Sequence, residues 1–181
     1  MNKSSTAMKF LIFCVLVTSI YCALVDSVPL VCEFKVYPIS GYGCTTKYLK
    51  IVSKDNRSIS EVFGDHLEGK TNEDVAFIEI IGRNVNYFPL NLGKSFNNLK
   101  FVYMNYTLVG EINAGDLEQF SPNLKSLTVE SSFIQVLEAG LFDHVPNLEK
   151  VNFVRNKIKH VDDGVFTSLK KLTSLWFYLN P

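Results

Sequence analysis

The stretch Leu148-Glu149-Lys150-Val151-Asn152-Phe153-Val154-Arg155-Asn156-Lys157-Ile158 decides the reading of the chain, because its phrase returns at a fixed interval. Leu124 stands 24 positions before Leu148, Leu99 another 25 before that, and Val75 a further 24, while Leu172 follows Leu148 by 24. Three positions into each phrase sits Ile78, Val102, Leu127, Val151 or Leu175. Two beyond that sits Ile80, Met104, Val129, Phe153 or Phe177. Apolar residues at positions one, four and six make a short alternating run that suits a half-buried strand. A period in the twenties marks a solenoid, in which one strand-and-return unit repeats because no unit can bury its apolar face alone.

The rest of each unit is read by the same count. At position nine the chain turns sharply and leaves backbone groups inside the coil, where a side-chain amide can satisfy them. Asn156 and Asn180 stand there; Thr107 and Ser132 offer a weaker hydroxyl, and Arg83 departs from the pattern. Positions eleven and fourteen are apolar again: Val85 and Phe88, Val109 and Ile112, Ile134 and Leu137, Ile158 and Val161. Phe142 and Phe166, with Leu117 in the second unit, are expected to fill the back of the coil, and Phe96, Phe120, Val145 and Leu169 to close their units.

Period and consensus together resemble the leucine-rich repeat family. The resemblance covers roughly the last three fifths of the chain, and the units from Leu124 and Leu148 match best. It implies an α/β fold: a leucine-rich repeat solenoid with a short parallel β-sheet on the concave face and irregular or short helical segments on the convex side. The units start near residues 75, 99, 124 and 148, with a partial unit at 172, so residues 75–181 are read as the repeats.

Composition agrees with one domain and a real core. The chain has 181 residues, 47% of them hydrophobic, and a formal net charge of zero. Balanced charge argues against a nucleic-acid partner, which usually selects a basic surplus. Residues 1–22 read as a signal peptide: Lys3 and Lys9 precede an apolar run of 13 residues from Phe10 to Cys22. A span needs roughly 20 residues and a signal core roughly 7–15, which favours secretion over an anchor. No later run is long enough to insert in a membrane. Cys14 and Cys22 are lost with the signal, and Cys32 and Cys44 remain as a pair expected to bond in an oxidising compartment. Asn56-Arg57-Ser58 and Asn105-Tyr106-Thr107 are acceptors for N-linked glycosylation if the chain is secreted.

Residues 23–74 read as a disulfide-bonded N-terminal cap on the open solenoid end. Pro38, Gly41 and Gly43 punctuate the Cys32–Cys44 loop. Tyr48–Val52 is expected to be a strand laid against the first repeat, with Leu49 and Ile51 on one face. A cysteine pair in this place resembles the caps of extracellular members of the family. The run Gly64-Asp65-His66-Leu67-Glu68-Gly69-Lys70, with Asp74-Val75 and Tyr87-Phe88-Pro89, resembles small secreted members from insects. At the other end Asn180-Pro181 is followed by no cysteine-bearing cap, which leaves Leu172, Leu175 and Phe177 at an edge expected to be completed by more chain, a partner or self-association.

Strand alternation sends positions three, five and seven outward on the concave sheet. Phe77, Phe101 and Tyr103 gather there at one end, Trp176 and Tyr178 at the other, with polar residues between. Exposed rings give large contact area at low entropy cost, so these five residues are the candidate partner-binding set. No nucleophile elbow, phosphate loop or paired metal-binding histidines occur, and neither enzymatic activity, a cofactor nor a metal is expected. The function classes that fit are a secreted protein-binding module, in defence or extracellular recognition, and the truncated ectodomain of a membrane-bound repeat receptor. A structural role in extracellular matrix is the third.

Overall fold

The computed structural model describes residues 28–120 and 122–181. The expected signal segment, 1–22, lies outside them. The strands, in chain order, are β1 (Val28–Val31), β2 (Glu33–Tyr37), β3 (Gly41–Thr46), β4 (Ile59–Phe63), β5 (Phe77–Ile81), β6 (Phe101–Asn105), β7 (Ser126–Glu130), β8 (Val136–Leu137), β9 (Lys150–Asn152), β10 (His160–Val161) and β11 (Ser174–Trp176). One seven-stranded sheet runs in the order β11-β9-β7-β6-β5-β3-β2, parallel except for the terminal β2–β3 pair. Its register puts Ile78, Val102, Leu127, Val151 and Leu175 side by side. That is the row expected from the 24-to-25-residue period.

The interior forms because each coil lends the same positions to a shared core. Ile78, Val102, Leu127 and Val151 have no exposed surface, and neither do Ile80, Met104, Val129 and Phe153. Burying one such side chain contributes about 1.5–3 kcal/mol, so the stacked rows supply the drive that no single coil has. Leu117 and Phe142 fill the back of their coils as expected, and Phe142 stacks on Phe166 at 5.7 Å. The coil from Leu148 is less covered: Val161, expected inside, is 39% exposed, and among the described residues no further coil packs over it.

Each coil turns at position eight in the left-handed region. Gly82 does so in the first unit, and Tyr106, Ser131, Arg155 and Leu179 do so at φ of 53–60° in the others. An L side chain in that conformation costs about 1–2 kcal/mol, and the amide or hydroxyl at position nine meets the backbone groups the turn exposes. Asn156 Oδ1 accepts from Ile134 N–H, while its Nδ2 donates to the carbonyls of Val129 (2.6 Å) and Phe153 (3.1 Å). Asn180 repeats the arrangement one coil on, with Ile158 N–H and the Phe153 and Phe177 carbonyls. Thr107 and Ser132 instead bond each other, hydroxyl to hydroxyl, at 2.7 Å. A second rail runs just ahead of the strands: Asn98, Asn123 and Asn147 each donate from Nδ2 to a carbonyl of the preceding coil, at Glu73, Asn97 and Pro122.

The segment ahead of Val75 continues this geometry. Cys44 and Thr46 pair in register with Ile78 and Ile80, and both point inward, with 0% and 1% exposure. Ile51 bridges to Val85 and Ser58 to Leu90, so residues 41–63 trace an irregular coil of the same solenoid. The strand beside the first repeat is therefore β3, not Tyr48–Val52. The latter bears only the Ile51 bridge, although Leu49 and Ile51 are both buried as expected. The turn-rich Cys32–Cys44 loop is a hairpin of β2 on β3, and the two cysteines are bonded (S–S 2.06 Å). On the opposite side β1 pairs with β4.

Two clamps tie this segment together and to the repeats. Arg57 donates from Nη1 to the Phe88 carbonyl at 3.1 Å and to Asp116, a carboxylate with 2% exposure in the second coil. Asp116 also closes a capping box with Asn113 at the start of the short helix Ala114–Glu118. Near the hairpin, His66 donates from Nε2 to Asn72 Oδ1 (3.0 Å) and accepts at Nδ1 from the Tyr42 hydroxyl (2.8 Å), which itself accepts the Leu67 N–H. The imidazole stacks on Phe34 at 3.9 Å.

Candidate recognition face

Strand pleating sorts the outward side chains into rows across the sheet. One row is Phe77, Phe101, Ser126, Lys150 and Ser174. The next is Thr45, Glu79, Tyr103, Thr128, Asn152 and Trp176. Each residue faces outward because its neighbours at positions four and six face the core.

The five rings singled out from sequence meet different fates. Phe77 points to the concave side but is only 3% exposed. The hairpin covers it: the Tyr37 ring lies 4.4 Å from its ring, and Tyr103 stands edge-on at 5.0 Å. Phe77 also needs Gly43 beneath it, since a Cβ on Gly43 would stand 2.6 Å from the Phe77 carbonyl oxygen and 2.7 Å from its ring. It is an inner member of an aromatic cluster, not a free contact residue. Phe101 and Tyr103 are half-buried, each with part of the ring open to the concave side. Trp176 and Tyr178 are exposed, 41% and 63%, beside the exposed Phe177 and Leu179.

The middle of the face is lower than its ends. Ser126 and Thr128 point outward yet are 3% and 9% exposed, being short side chains between taller neighbours. They form a hydroxyl floor between the Phe101–Tyr103 wall on one side and Lys150, Asn152 and Trp176 on the other.

Charge on the face is organised by amides. Glu79 accepts from Thr45 Oγ1 at one carboxylate oxygen (3.2 Å) and from Asn105 Nδ2 at the other (3.3 Å). Glu130 pairs with Arg155 at 3.0 Å and takes a longer bond from Asn152 at 3.5 Å. Along the rim Lys125 bonds Glu149 at 2.7 Å, and that bond holds the Glu149 carboxyl below the usual carboxylate range.

Of the two glycosylation acceptors, Asn105 is half-buried on this face with its amide turned to Glu79, and the Thr107 hydroxyl that completes its triplet is buried against Ser132. Asn56 sits beside the Arg57 clamp, away from the sheet. Among the described residues no group of three or more His, Cys, Asp or Glu could hold a metal ion, and no helix is long and apolar enough to cross a membrane.

Sequence reasoning missed Tyr37, because its place over Phe77 depends on the hairpin. It also missed the hydroxyl floor, whose signal was available: two small residues in consecutive outward positions of one unit.

Comparison with known proteins bears on the coil. The family model described as leucine rich repeat matches residues 122–176. No curated protein sequence matches the chain. Among solved structures, one titled as a TLR13–ssRNA13 complex is similar over 60% of this chain at 19% identity and a TM-score of 0.47. This chain covers 18% of that one's length. The leucine-rich repeat ectodomain of the receptor kinase SOBIR1 from Arabidopsis thaliana is similar over 82% of this chain and 78% of its own, at 15% identity and a TM-score of 0.48.

Proposed function

We propose, from the premise that this chain folds as a leucine-rich repeat solenoid, that it is a secreted recognition module binding a protein partner on its concave face. One observation carries the reading. Phe101 and Tyr103 present partly open rings above a floor of Ser126 and Thr128, next to the part of the sheet face where the hairpin covers Phe77. Trp176 and Tyr178 form the second contact patch. The division into signal (1–22), cap (23–74) and repeats (75–181) belongs to this reading, as does glycosylation at Asn56; a glycan at Asn105 would block the Glu79 end of the face, so binding there requires that acceptor to be unoccupied. The Cys32–Cys44 bond supports an oxidising, extracellular setting.

The test is affinity capture from the surrounding extracellular fluid with the wild-type protein and with a Phe101→Ala, Tyr103→Ala variant of unchanged far-ultraviolet spectrum. A partner held by the first and released by the second is expected. Equal retention by both overturns the reading. The ectodomain reading draws on the exposed edge at Trp176–Leu179, which a further coil would cover. Transcript sequence past the Pro181 codon, encoding more repeats and a long apolar run, would favour it.

A further inference from the structure

We infer that the cap-proximal end of the concave face is a seat for a basic side chain of the protein partner, with Glu79 as its counter-charge and the Tyr103 ring as its wall. The inference rests on the concave-face reading and deepens it. Glu79 is half-buried, and its two oxygens are held by neutral donors, Thr45 Oγ1 and Asn105 Nδ2. Among the described residues no lysine, arginine or histidine lies within ion-pair distance of it; Glu33, Glu111, Glu130 and Glu149 each have a cationic partner, and the other glutamates without one, Glu61, Glu68, Glu73, Glu118 and Glu138, are exposed. Lys35, the cation of the neighbouring hairpin, is turned to Glu33 and to the Tyr37 ring.

The surroundings suit a cation. Tyr103 is the next residue in the Glu79 row, and its ring is fixed edge-on to Phe77, itself packed under Tyr37. A guanidinium or ammonium group entering from the concave side meets a positioned carboxylate and an aromatic surface together. That combines a charge-assisted hydrogen bond with a cation–π contact. Because each carboxylate oxygen accepts one bond and keeps capacity for another, a planar guanidinium can bond both oxygens at once, which favours arginine over lysine. Apolar or acidic partner segments gain nothing here and leave the charge of Glu79 half-desolvated.

The probe is an end-blocked Gly-Arg-Gly peptide, with its citrulline counterpart as the uncharged control, titrated into protein made without N-linked glycans. The readout is the nuclear magnetic resonance shift of the Tyr103 and Tyr37 rings. A saturable shift with the arginine peptide by about 20 mM, absent with citrulline, and weakened about tenfold in Glu79→Gln, is expected. The substitution keeps an oxygen acceptor in place, and an unchanged melting temperature verifies the fold. No saturable shift, or equal shifts in Glu79→Gln, overturns the inference. With the captured partner, binding lost in the Phe101→Ala, Tyr103→Ala variant but kept in Glu79→Gln defeats this inference alone. Binding kept in both defeats the concave-face reading as well.

Discussion

The amino-terminal and carboxyl-terminal halves of the solenoid solve the same problem differently. In the carboxyl-terminal coils a side-chain amide repeats: buried Asn156 and half-buried Asn180 each link an N–H of the preceding coil to carbonyls of the turn. In the amino-terminal coils that position holds Arg83, Thr107 and Ser132, and only the hydroxyl pair bridges two coils. Beyond the Asn98 and Asn123 rail, which all the coils share, added cohesion there comes from outside the repeat: the Cys32–Cys44 bond, the Arg57–Asp116 clamp, and the Tyr42–His66–Asn72 chain. Regular coils are held by what recurs, and irregular ones by cross-links that occur once.

The largest effect expected from breaking this contrast is at Asn156. Replacing it by Ala leaves buried backbone groups at Ile134 and Val129 without their side-chain partner and the Phe153 carbonyl with Asn180 alone. A loss of about 3–5 kcal/mol, read from urea unfolding, is the expected result. Arg57→Ala should come next at about 3 kcal/mol, because it strands the buried Asp116 carboxylate. Recovery in the double variant Arg57→Ala, Asp116→Asn would show that the stranded charge is the cause. Thr107→Val should cost only about 1 kcal/mol, since it removes one neutral bond and nearly preserves shape. If it costs as much as Asn156→Ala, the two halves are not held differently.

Ser131→Gly sharpens the contrast from the other direction. It relieves a left-handed residue at φ 53° and removes a buried hydroxyl that has no partner. A gain of about 1 kcal/mol is expected, reduced somewhat by the added freedom of the unfolded chain. The smallest effect belongs to Asp162 on the exposed side of the fourth coil. The Ala139 N–H, and secondarily His160, hold its carboxyl below the usual carboxylate range. A depressed folded value means the contribution is present above the unfolded value of about 4 and is lost as pH falls through the folded one. Asp162→Asn should therefore flatten this shallow acid dependence by lowering stability slightly at neutral pH while leaving acidic pH almost unchanged.

The same division governs how much could be read from sequence. The rows through Val102, Leu127 and Val151 were legible because one environment selects one residue type at each return. Asn156 and Asn180 were legible for the same reason. The coil at residues 41–63 was not, because Cys44 and Thr46 stand where other units carry aliphatic or aromatic side chains and its length breaks the period. The recognition face was half legible. Alternation gave the direction of Phe77, but its burial depends on Tyr37, which reaches it only through the hairpin. The bonds from Thr45 and Asn105 to Glu79 join residues 34 and 26 apart, and no local pattern announces them.

The parallel sheet also sets a scale. Neighbouring strands stand about 4.8 Å apart, while like-facing side chains of an extended peptide recur every 6.8 Å or so. A straight strand laid across the rows would therefore fall out of step within about two coils. Glu79, Tyr103, Thr128 and Asn152 are spaced for a visitor that curves, crosses obliquely or touches down at separate points.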